Sequence, residues 1–326
     1  MNAPKSAWIL SDGKQGHLSP MIGVAELLDV DYEIKNVPPM RAMDRLAAPF
    51  AGLFGARTLK AGAAPLDPPY PDLCIASGRR TVSYLRSVKA ASPDTFCVYF
   101  MDPRSARAGA DLVVSQHHDG LTGDRVVQVR TAPHRFSAER LARARQSARP
   151  ELTALPRPRV AVLIGGNSRH HRFTRSDIER LSAAVGDLAR TGAGLMVTLS
   201  RRTPRPLAKA IAVMSECRNV YLWDGSGDNP MAEYLALADD IVVTGDSISM
   251  MGEAAATGRP IHIFQPSGGH RKFDRFLRAL GEVATLGPFP GPMGGERYPC
   301  VDATPFVADT IRKRYAERLA ARRERR

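Results

Sequence analysis

Eleven short apolar runs, rich in Val and Ile, recur along the chain, and most of them end in Gly, Ser or Asp. They lack the strict alternation of a half-exposed strand, which predicts parallel strands covered on both faces. Helix-compatible stretches separate most of them, so we expect an α/β protein with doubly wound parallel sheets. The predicted strands are residues 7–10, 32–37, 73–76, 96–100, 112–114, 126–129, 160–164, 195–199, 220–223, 241–244 and 261–264.

Helices are predicted between these strands, at residues 19–28, 81–90, 176–190, 231–238 and 247–257. The helix over 176–190 is expected to begin with Ser176 as its N-cap, because Glu179 follows at the spacing of a capping box. A chain of 326 residues suits two domains better than one core.

The domain boundary is predicted near Pro150, which ends a basic helix-like stretch at residues 137–149 and precedes a stiff linker, Leu155-Pro-Arg-Pro-Arg159. This gives Rossmann-like domains at 1–150 and 151–295, with 287–295 as a loop. Residues 296–326 then form a basic C-terminal helix. Its apolar face is expected to consist of Phe306, Val307, Ile311, Tyr315 and Leu319, which recur at helical spacing.

Cysteine usage and hydropathy predict a cytoplasmic protein. The four cysteines are scattered without a Cys-x-x-Cys pair, which favours reduced, mostly buried thiols over disulfides or metal ligands. The first apolar run, 7–10, is too short for the core of a signal peptide. No stretch approaches the roughly 20 apolar residues of a spanning helix.

The charge balance points to an anionic partner. The formal net charge is +13, and residues 311–326 contain eight Lys or Arg against two Glu. Such a tail favours the inner face of an anionic membrane, with a solvated helix end as the alternative. Nucleic acid is not expected as a partner, because no RNA- or DNA-binding motif accompanies the charge and aromatic residues make up only 6%.

Two polar loops follow strands in the first half. Ser11-Asp-Gly-Lys-Gln-Gly-His17 offers His17 as a general base, with Asp12 either orienting it or acting itself. Ser77-Gly-Arg-Arg80 places two arginines at a helix start, where they suit an anionic ligand. The competing interpretation is a capping histidine and surface arginines. The candidate binding residues are Ser11, Gly13, Gly16, Ser77, Gly78, Arg79 and Arg80.

Three more polar loops follow strands in the second half and together indicate a phosphate-containing ligand, with helix-capping solvated loops as the alternative. The candidate residues are Gly165, Gly166, Asn167, Ser200, Arg201, Arg202, Thr203, Thr244, Asp246, Ser247, Ser249, Met250 and Glu253. No metal site is expected, because the adjacent His117 and His118 lack a partner ligand at a fixed helical spacing.

These motifs resemble bacterial relatives of the plant "elongated mitochondria" family of mitochondrial-fission proteins. The matching stretches span nearly the whole chain: 8–17, 77–81, 163–167, 170–173, 200–204, 243–250 and 253–260. The resemblance implies a GT-B-like fold and glycosyltransferase activity. It also implies a terminal helix that packs back on the first domain.

The segment from Glu253 to Pro260 is similar to the glutamate–Gly-x-Pro element of GT-B enzymes and sugar-nucleotide epimerases. That similarity implies that Glu253 contacts ribose and that Gly165, Gly166, Ser247 and Ser249 hold a diphosphate. It also implies an acceptor on the first domain and no cofactor, because GT-B enzymes typically need no metal.

The leading hypothesis is sugar transfer from a nucleotide-diphosphate sugar to a lipid-linked or envelope acceptor, in the cleft between the two halves. The alternatives are a non-catalytic, membrane-associated scaffold and a sugar-nucleotide epimerase. These motifs do not specify the sugar, the base or the acceptor. They also do not specify whether transfer inverts or retains the configuration of the anomeric carbon.

Overall fold

The structure is a computed structural model that describes residues 3–38, 66–104 and 108–324. The chain divides into two compact units. Unit 1 consists of Met1–Arg135 with Ala303–Arg326, and unit 2 of Phe136–Asp302. The division lies at residue 135 rather than after residue 150, because the basic stretch that follows packs within unit 2: Arg145 Nε donates to the carbonyl of Ala236 at 2.9 Å.

Unit 1 is built on one parallel sheet of six strands, in the order β2-β1-β3-β4-β5-β6. The strands are β1 Ser6–Ser11, β2 Asp31–Asn36, β3 Leu73–Ser77, β4 Phe96–Phe100, β5 Leu112–Gln116 and β6 Val126–Val129. The helices described in this unit are α1 Gln15–Leu28, α2 Val82–Ala91 and the C-terminal helix, α10 Thr304–Arg323.

Unit 2 repeats the arrangement with the strand order β12-β11-β10-β7-β8-β9, again all parallel. Its strands are β7 Arg159–Ile164, β8 Gly194–Leu199, β9 Val220–Trp223, β10 Asp240–Thr244, β11 Ile261–Phe264 and β12 Leu286–Pro288. Its helices are α3 Ala138–Gln146, α4 Pro150–Thr153, α5 Arg175–Arg190, α6 Arg205–Ala212, α7 Met231–Leu237, α8 Ile248–Ala255 and α9 Arg271–Gly281.

The predicted α/β fold with doubly wound parallel sheets is confirmed, and every predicted strand is present. The predicted loop at 287–295 is wrong at its start, because Leu286–Pro288 pairs with β11 as a short edge strand. This strand, Leu286-Gly-Pro288, contains no apolar run of the kind that marks the other strands in the sequence. The prediction that strands are covered on both faces fails at β2, an edge strand where Tyr32 and Ile34 are each 37% exposed.

The N-cap of α5 is Thr174, not Ser176. The Thr174 side chain accepts a hydrogen bond from the Asp177 N–H, and the Asp177 carboxylate accepts one from the Thr174 N–H, so the capping box is complete two residues before the predicted one. Asp177 also accepts a hydrogen bond from the Ser267 N–H at 3.1 Å. Glu179 lies on the exposed side of the helix and makes no such bond. The tertiary contact therefore selects the cap.

The C-terminal helix α10 packs back within unit 1 through its apolar face. Val307 and Ile311 have no exposed surface and Tyr315 is 7% exposed, in the same core cluster as residues of α1. Phe306 is 53% exposed, so it does not belong to this face as predicted.

Several arginines of α10 are engaged within unit 1. Arg312 donates to the carbonyl of Leu27 at 2.6 Å, Arg318 pairs with Asp111 at 2.5 Å, and Arg322 pairs with Asp94. Much of the basic charge at the C-terminus thus holds the helix in place. None of the described helices has the length and apolar character needed to cross a membrane.

Candidate functional site

In unit 1 the polar loops that follow β1 and β3 meet at one point of the sheet edge. The chain runs from β1 outward to β2 and then returns to place β3 on the other side of β1. Beyond these loops, the connections that leave β1 and β3 run in opposite directions along the sheet, which opens a crevice beyond the carboxyl ends of these strands. In open α/β sheets this position is where ligands bind.

Asp12 and His17 form a side-chain pair in this crevice. His17 Nδ1 lies 3.0 Å from Asp12 Oδ1, and the Asp12 side chain is only 4% exposed against 19% for His17. When Nδ1 carries the proton, it donates to the carboxylate and leaves Nε2 with a free lone pair. A buried carboxylate that fixes the tautomer of a more accessible imidazole is the arrangement by which a histidine acts as a general base.

The surroundings keep Asp12 ionised. Burial disfavours its charged form, but the adjacent His17, the hydrogen bond between them and the Lys14 N–H outweigh this effect and hold the pKa of Asp12 below its usual value. Tyr99 lies behind the pair on β4. Its burial, together with the charge of Asp12, raises the pKa of the phenol, so it stays neutral.

Gly78 brings the second loop against this pair. Its φ of +92° lies in the left-handed region, and a Cβ at this position would be 2.7 Å from His17 Nδ1 and 2.8 Å from Asp12 Oδ2. Only glycine permits so close an approach of the β3 loop to the imidazole and the carboxylate. The structure thus brings together the two motifs that the sequence leaves 60 or more residues apart.

The remaining unit 1 candidates divide into structural and accessible groups. Ser11 is buried and its hydroxyl accepts the Gly13 N–H at 3.0 Å, and the buried Ser77 hydroxyl donates to the Phe100 carbonyl. Both shape the loops. Gly16 lies exposed in the first turn of α1. Arg79 and Arg80 are exposed, and in the part of the chain that the structure describes neither has a hydrogen-bond or ion-pair partner.

Unit 2 has its crevice between β7 and β10. The chain leaves β7 toward β8 and β9 and then returns to place β10 on the other side of β7. The loop of Gly165, Gly166 and Asn167 follows β7, and the loop of Asp246 and Ser247 follows β10. The third polar loop, residues 200–203, follows β8 on the far side of β7.

Asp246 joins these three loops. Its side chain has no exposed surface, and it accepts hydrogen bonds from the Gly166 N–H at 2.9 Å, the Thr244 hydroxyl at 2.7 Å and Arg202 Nη2 at 3.0 Å. The Thr244 hydroxyl in turn accepts the Gly165 N–H at 2.7 Å. A buried carboxylate needs this many donors to remain charged.

This network changes the role of the two glycines. Their N–H groups are bonded to Thr244 and Asp246, so they do not point freely at a phosphate as predicted. A Cβ at Gly165 would lie 2.3 Å from Asp246 Oδ1, and one at Gly166 would lie 2.0 Å from the Arg202 carbonyl oxygen. The glycines allow the loops to pack closely.

The loop at 200–203 is likewise tied to the glycine loop. The Thr203 hydroxyl donates to the Gly165 carbonyl at 2.5 Å, and Arg202 Nη1 donates to the carbonyls of Gly166 and Asn167. The Ser200 hydroxyl accepts the Arg202 N–H at 3.1 Å. Arg201, by contrast, is exposed and has no such partner among the described residues, so it is available to an anion.

Helix α8 begins beside this network. The Ser247 hydroxyl caps it by accepting the Met250 N–H at 3.4 Å. The first-turn N–H groups of Ile248 and Ser249 have no acceptor inside the helix. With the Ser249 hydroxyl, they form the part of the predicted site that offers hydrogen-bond donors to an anion.

Glu253 lies in the second turn of α8 and is half-buried. Among the described residues, no hydrogen bond or ion pair reaches its carboxylate. Burial raises the pKa of Glu253 to about 7. A half-buried carboxylate with no partner among the described residues, and with a raised pKa, is a candidate for contact with a ligand.

Sequence reasoning missed the loop after β11, Gln265-Pro-Ser-Gly-Gly-His270, which reaches the edge of the sheet beside the β10 loop. The sequence did contain a signal for it, because it is a polar, glycine-containing segment between a strand and a helix like the other candidate loops.

Within the described ranges, no group of three or more His, Cys, Asp or Glu residues is placed to hold a metal ion.

The fold is similar to that of a solved structure, MurG from Acinetobacter baumannii. The match has a TM-score of 0.51 at 14% identity and covers 95% of this chain and 100% of the other. At this identity the similarity concerns the fold alone. It agrees with the predicted GT-B-like architecture of two Rossmann-like units with a C-terminal helix on the first.

Two curated relatives are similar in sequence. "Mitochondrial fission protein ELM1" of Arabidopsis thaliana is 30% identical over 278 residues, which are 76% of this chain and 65% of that protein. "Uncharacterized protein RP120" of Rickettsia prowazekii (strain Madrid E) is 35% identical over 112 residues, 33% of this chain and 31% of that protein. The alignments thus span less than two thirds of either relative.

The family resemblance expected from the sequence motifs is confirmed by a family model. That model, described as "Mitochondrial fission ELM1", matches residues 15–315, nearly the full described length of the chain. The chain belongs to the mitochondrial fission ELM1 family.

Proposed function

We propose that this protein transfers a sugar from a nucleotide-diphosphate sugar to an acceptor hydroxyl. One observation carries the proposal: each unit has an ionisable side chain suited to this reaction beside the crevice of its sheet. Unit 1 has the Asp12–His17 pair, with Nδ1 and Oδ1 3.0 Å apart. Unit 2 has Glu253, whose carboxylate has no hydrogen-bond or ion-pair partner among the described residues. A scaffold would need neither.

Unit 1 would bind and activate the acceptor. His17 Nε2 takes the proton of the acceptor hydroxyl as its oxygen attacks the anomeric carbon, and the bond from that carbon to the diphosphate breaks. Asp12 holds the imidazole in the required tautomer and stabilises the imidazolium that forms. The exposed Arg79 and Arg80 would bind an anionic part of the acceptor, such as a lipid-linked phosphate.

Unit 2 would bind the donor. The Glu253 carboxylate accepts hydrogen bonds from the ribose hydroxyls, which removes the penalty of leaving it without a partner. The start of α8 with Ser249, together with Arg201, faces the diphosphate. The leaving diphosphate is stabilised by these donors, so the mechanism proposed here uses the protein's own cations and amides and requires no cofactor.

Isothermal titration with a panel of nucleoside diphosphates tests donor binding. We expect one of them to bind the wild type, and Glu253→Ala to weaken that binding about tenfold or more, because it removes charge-assisted hydrogen bonds. Glu179→Ala, which alters an exposed glutamate on α5, is the matched control and should bind normally. If no nucleotide binds, the proposal fails.

Product formation from nucleotide sugars and envelope lipid extracts tests the role of His17. His17→Ala should lower kcat by about 100-fold or more and leave nucleotide binding unchanged, because the base acts only in the chemical step. His117→Ala, at an exposed histidine of the same unit, should retain full activity. Equal rates for both variants would exclude His17 as the base.

The same assays separate the competing functions. Conversion of a nucleotide sugar to its epimer without an acceptor would identify an epimerase instead. A scaffold would bind anionic vesicles and no nucleotide. Lys313 and Arg323 are exposed basic residues of α10, so vesicle flotation of Lys313→Glu/Arg323→Glu against wild type measures what this helix contributes to any such contact.

A further inference from the structure

Two loops of unit 2 are joined beside the candidate donor site. The loop after β7 and the loop before α9 form an antiparallel bridge between His171 and Gly268. The Arg172 N–H donates to the Ser267 carbonyl at 2.9 Å, and the Gly269 N–H donates to the His170 carbonyl at 2.8 Å. Because β7, β10 and β11 are neighbours in the sheet, these loops lie at the same edge as the start of α8.

The bridge brings two histidine rings into contact. The ring centroids of His170 and His270 are 4.4 Å apart, with 40° between the ring planes. His270 is the N-cap of α9, and its Nδ1 accepts the Lys272 N–H at 3.1 Å, which leaves Nε2 to carry the proton. The positive end of the helix dipole lies at the same place.

The charges around these two rings are mostly positive. Partial burial, and then the neighbouring His270, Arg169 and Lys272, lower the pKa of His170. We refer to Arg169, His170, His270 and Lys272 as the imidazole cluster. An anion bound beside His170 would oppose these effects and favour protonation of its ring.

A third histidine lies beneath the cluster. His171 is 4% exposed, its ring packs against Phe273 in the first turn of α9 at 4.4 Å, and its Nδ1 has no hydrogen-bond partner among the described residues. Burial, then His170 and Arg202, lower the pKa of His171, whereas Asp246 and Asp274 act in the opposite direction. The polar groups on this side of α9 are therefore incompletely satisfied.

We propose that the imidazole cluster binds the diphosphate of the donor and takes up a proton as the diphosphate binds. The assignment rests on the proposed function for the identity of the ligand. It fills a gap in that function, because the Gly165 and Gly166 N–H groups are bonded within the protein. An imidazolium formed at His170 or His270 gives the leaving diphosphate a cation without a metal.

Titration calorimetry with inorganic pyrophosphate and, separately, with uridine diphosphate tests this assignment. Each titration is run at pH 7.5 in buffers of different ionisation enthalpy, which yields the number of protons taken up. The ionisation of the diphosphate itself contributes equally to the proton uptake measured for wild type and for each variant. The informative quantity is therefore the difference in proton uptake between wild type and variant. His170→Gln and His270→Asn are the variants, and the asparagine can still cap α9. His117→Gln in unit 1 is the control.

We expect the wild type and His117→Gln to take up about one proton more than His170→Gln or His270→Asn. Between pH 8 and pH 6 the affinity advantage of the wild type over these variants should grow about tenfold. Equal proton uptake and equal affinity in wild type and variants would overturn the assignment.

The two ligands separate this inference from the proposed function. Histidine-dependent proton uptake with pyrophosphate, but no binding of uridine diphosphate or any other nucleotide, would leave an anion site and remove the glycosyltransferase proposal. Nucleotide binding that depends on Glu253 and ignores both histidines would leave that proposal standing and refute the imidazole cluster.

Discussion

At the scale of single residues, Asp246 explains more of unit 2 than any other side chain that was singled out for ligand binding. It is enclosed, charged and bonded to groups from all three loops around β7. Such a carboxylate is stable only if every donor stays in place, because a buried charge that loses a partner is strongly destabilising. The glycines at 165 and 166 are needed for that geometry.

Gly166→Ala should therefore destabilise the protein, by about 2–4 kcal/mol, because its Cβ would meet the backbone of Arg202 at 2.0 Å. Gly186→Ala is the matched control. Gly186 lies inside α5, where a Cβ has no contact closer than 3.6 Å, and the change should stabilise by up to about 1 kcal/mol. Urea unfolding measures both, and similar values would contradict the close packing of the loops.

Glu253 should make stability depend on pH. Its pKa is raised from 4.5 to about 7, so the folded state binds the proton more tightly than the unfolded state does. The free energy of unfolding should then fall as pH rises from about 4.5 to 7, by at most about 3 kcal/mol. Glu253→Gln has no such charge, so it should match wild type at pH 4.5 and exceed it at pH 8.

Urea unfolding at both pH values checks this, with Glu179→Gln as the exposed control. Greater stability of Glu253→Gln at pH 8 combined with weaker nucleotide binding would mean that the carboxylate is retained for its ligand at a cost in stability. Identical pH profiles for wild type and Glu253→Gln would show that the carboxylate is well solvated.

At the scale of elements, the start of α5 distinguishes local from tertiary determinants. Thr174→Ala should cost about 1 kcal/mol, because it removes the side chain that accepts the Asp177 N–H. Ser176→Ala should change stability by less than about 0.5 kcal/mol, because Ser176 is an exposed residue within the first turn. Thermal unfolding of the two variants compares them. A larger loss for Ser176→Ala would restore the cap predicted from the sequence.

At the scale of the whole molecule, the chain returns to its first unit through α10. Ile311 is completely buried in a core cluster that includes residues of α1, β1 and β3. Ile311→Ala should cost about 2–5 kcal/mol, as expected for a large-to-small change in a packed core. Phe306→Ala, at a residue that is 53% exposed, should cost much less.

Urea unfolding of these two α10 variants also tests whether the terminal helix belongs to the cooperative core of unit 1. If Ile311→Ala were no more destabilising than Phe306→Ala, the helix would be an appendage. Its basic residues would then be free for a membrane, in contrast to the contacts of Arg312, Arg318 and Arg322 within the unit.

The amino-acid sequence by itself determined eleven of the twelve described strands, most of the helices and the α/β class, because hydrophobic periodicity and turn residues act within one element. It also indicated which loops carry polar groups. Strand order, and with it the position of both crevices, came only from the tertiary structure. So did the close approach of Gly78 to Asp12 and His17, the bonds that occupy the N–H groups of Gly165 and Gly166, and the partial burial of Glu253. The physical reason is that these features depend on which distant segments pack together, and Gly166 and Asp246 are 80 residues apart.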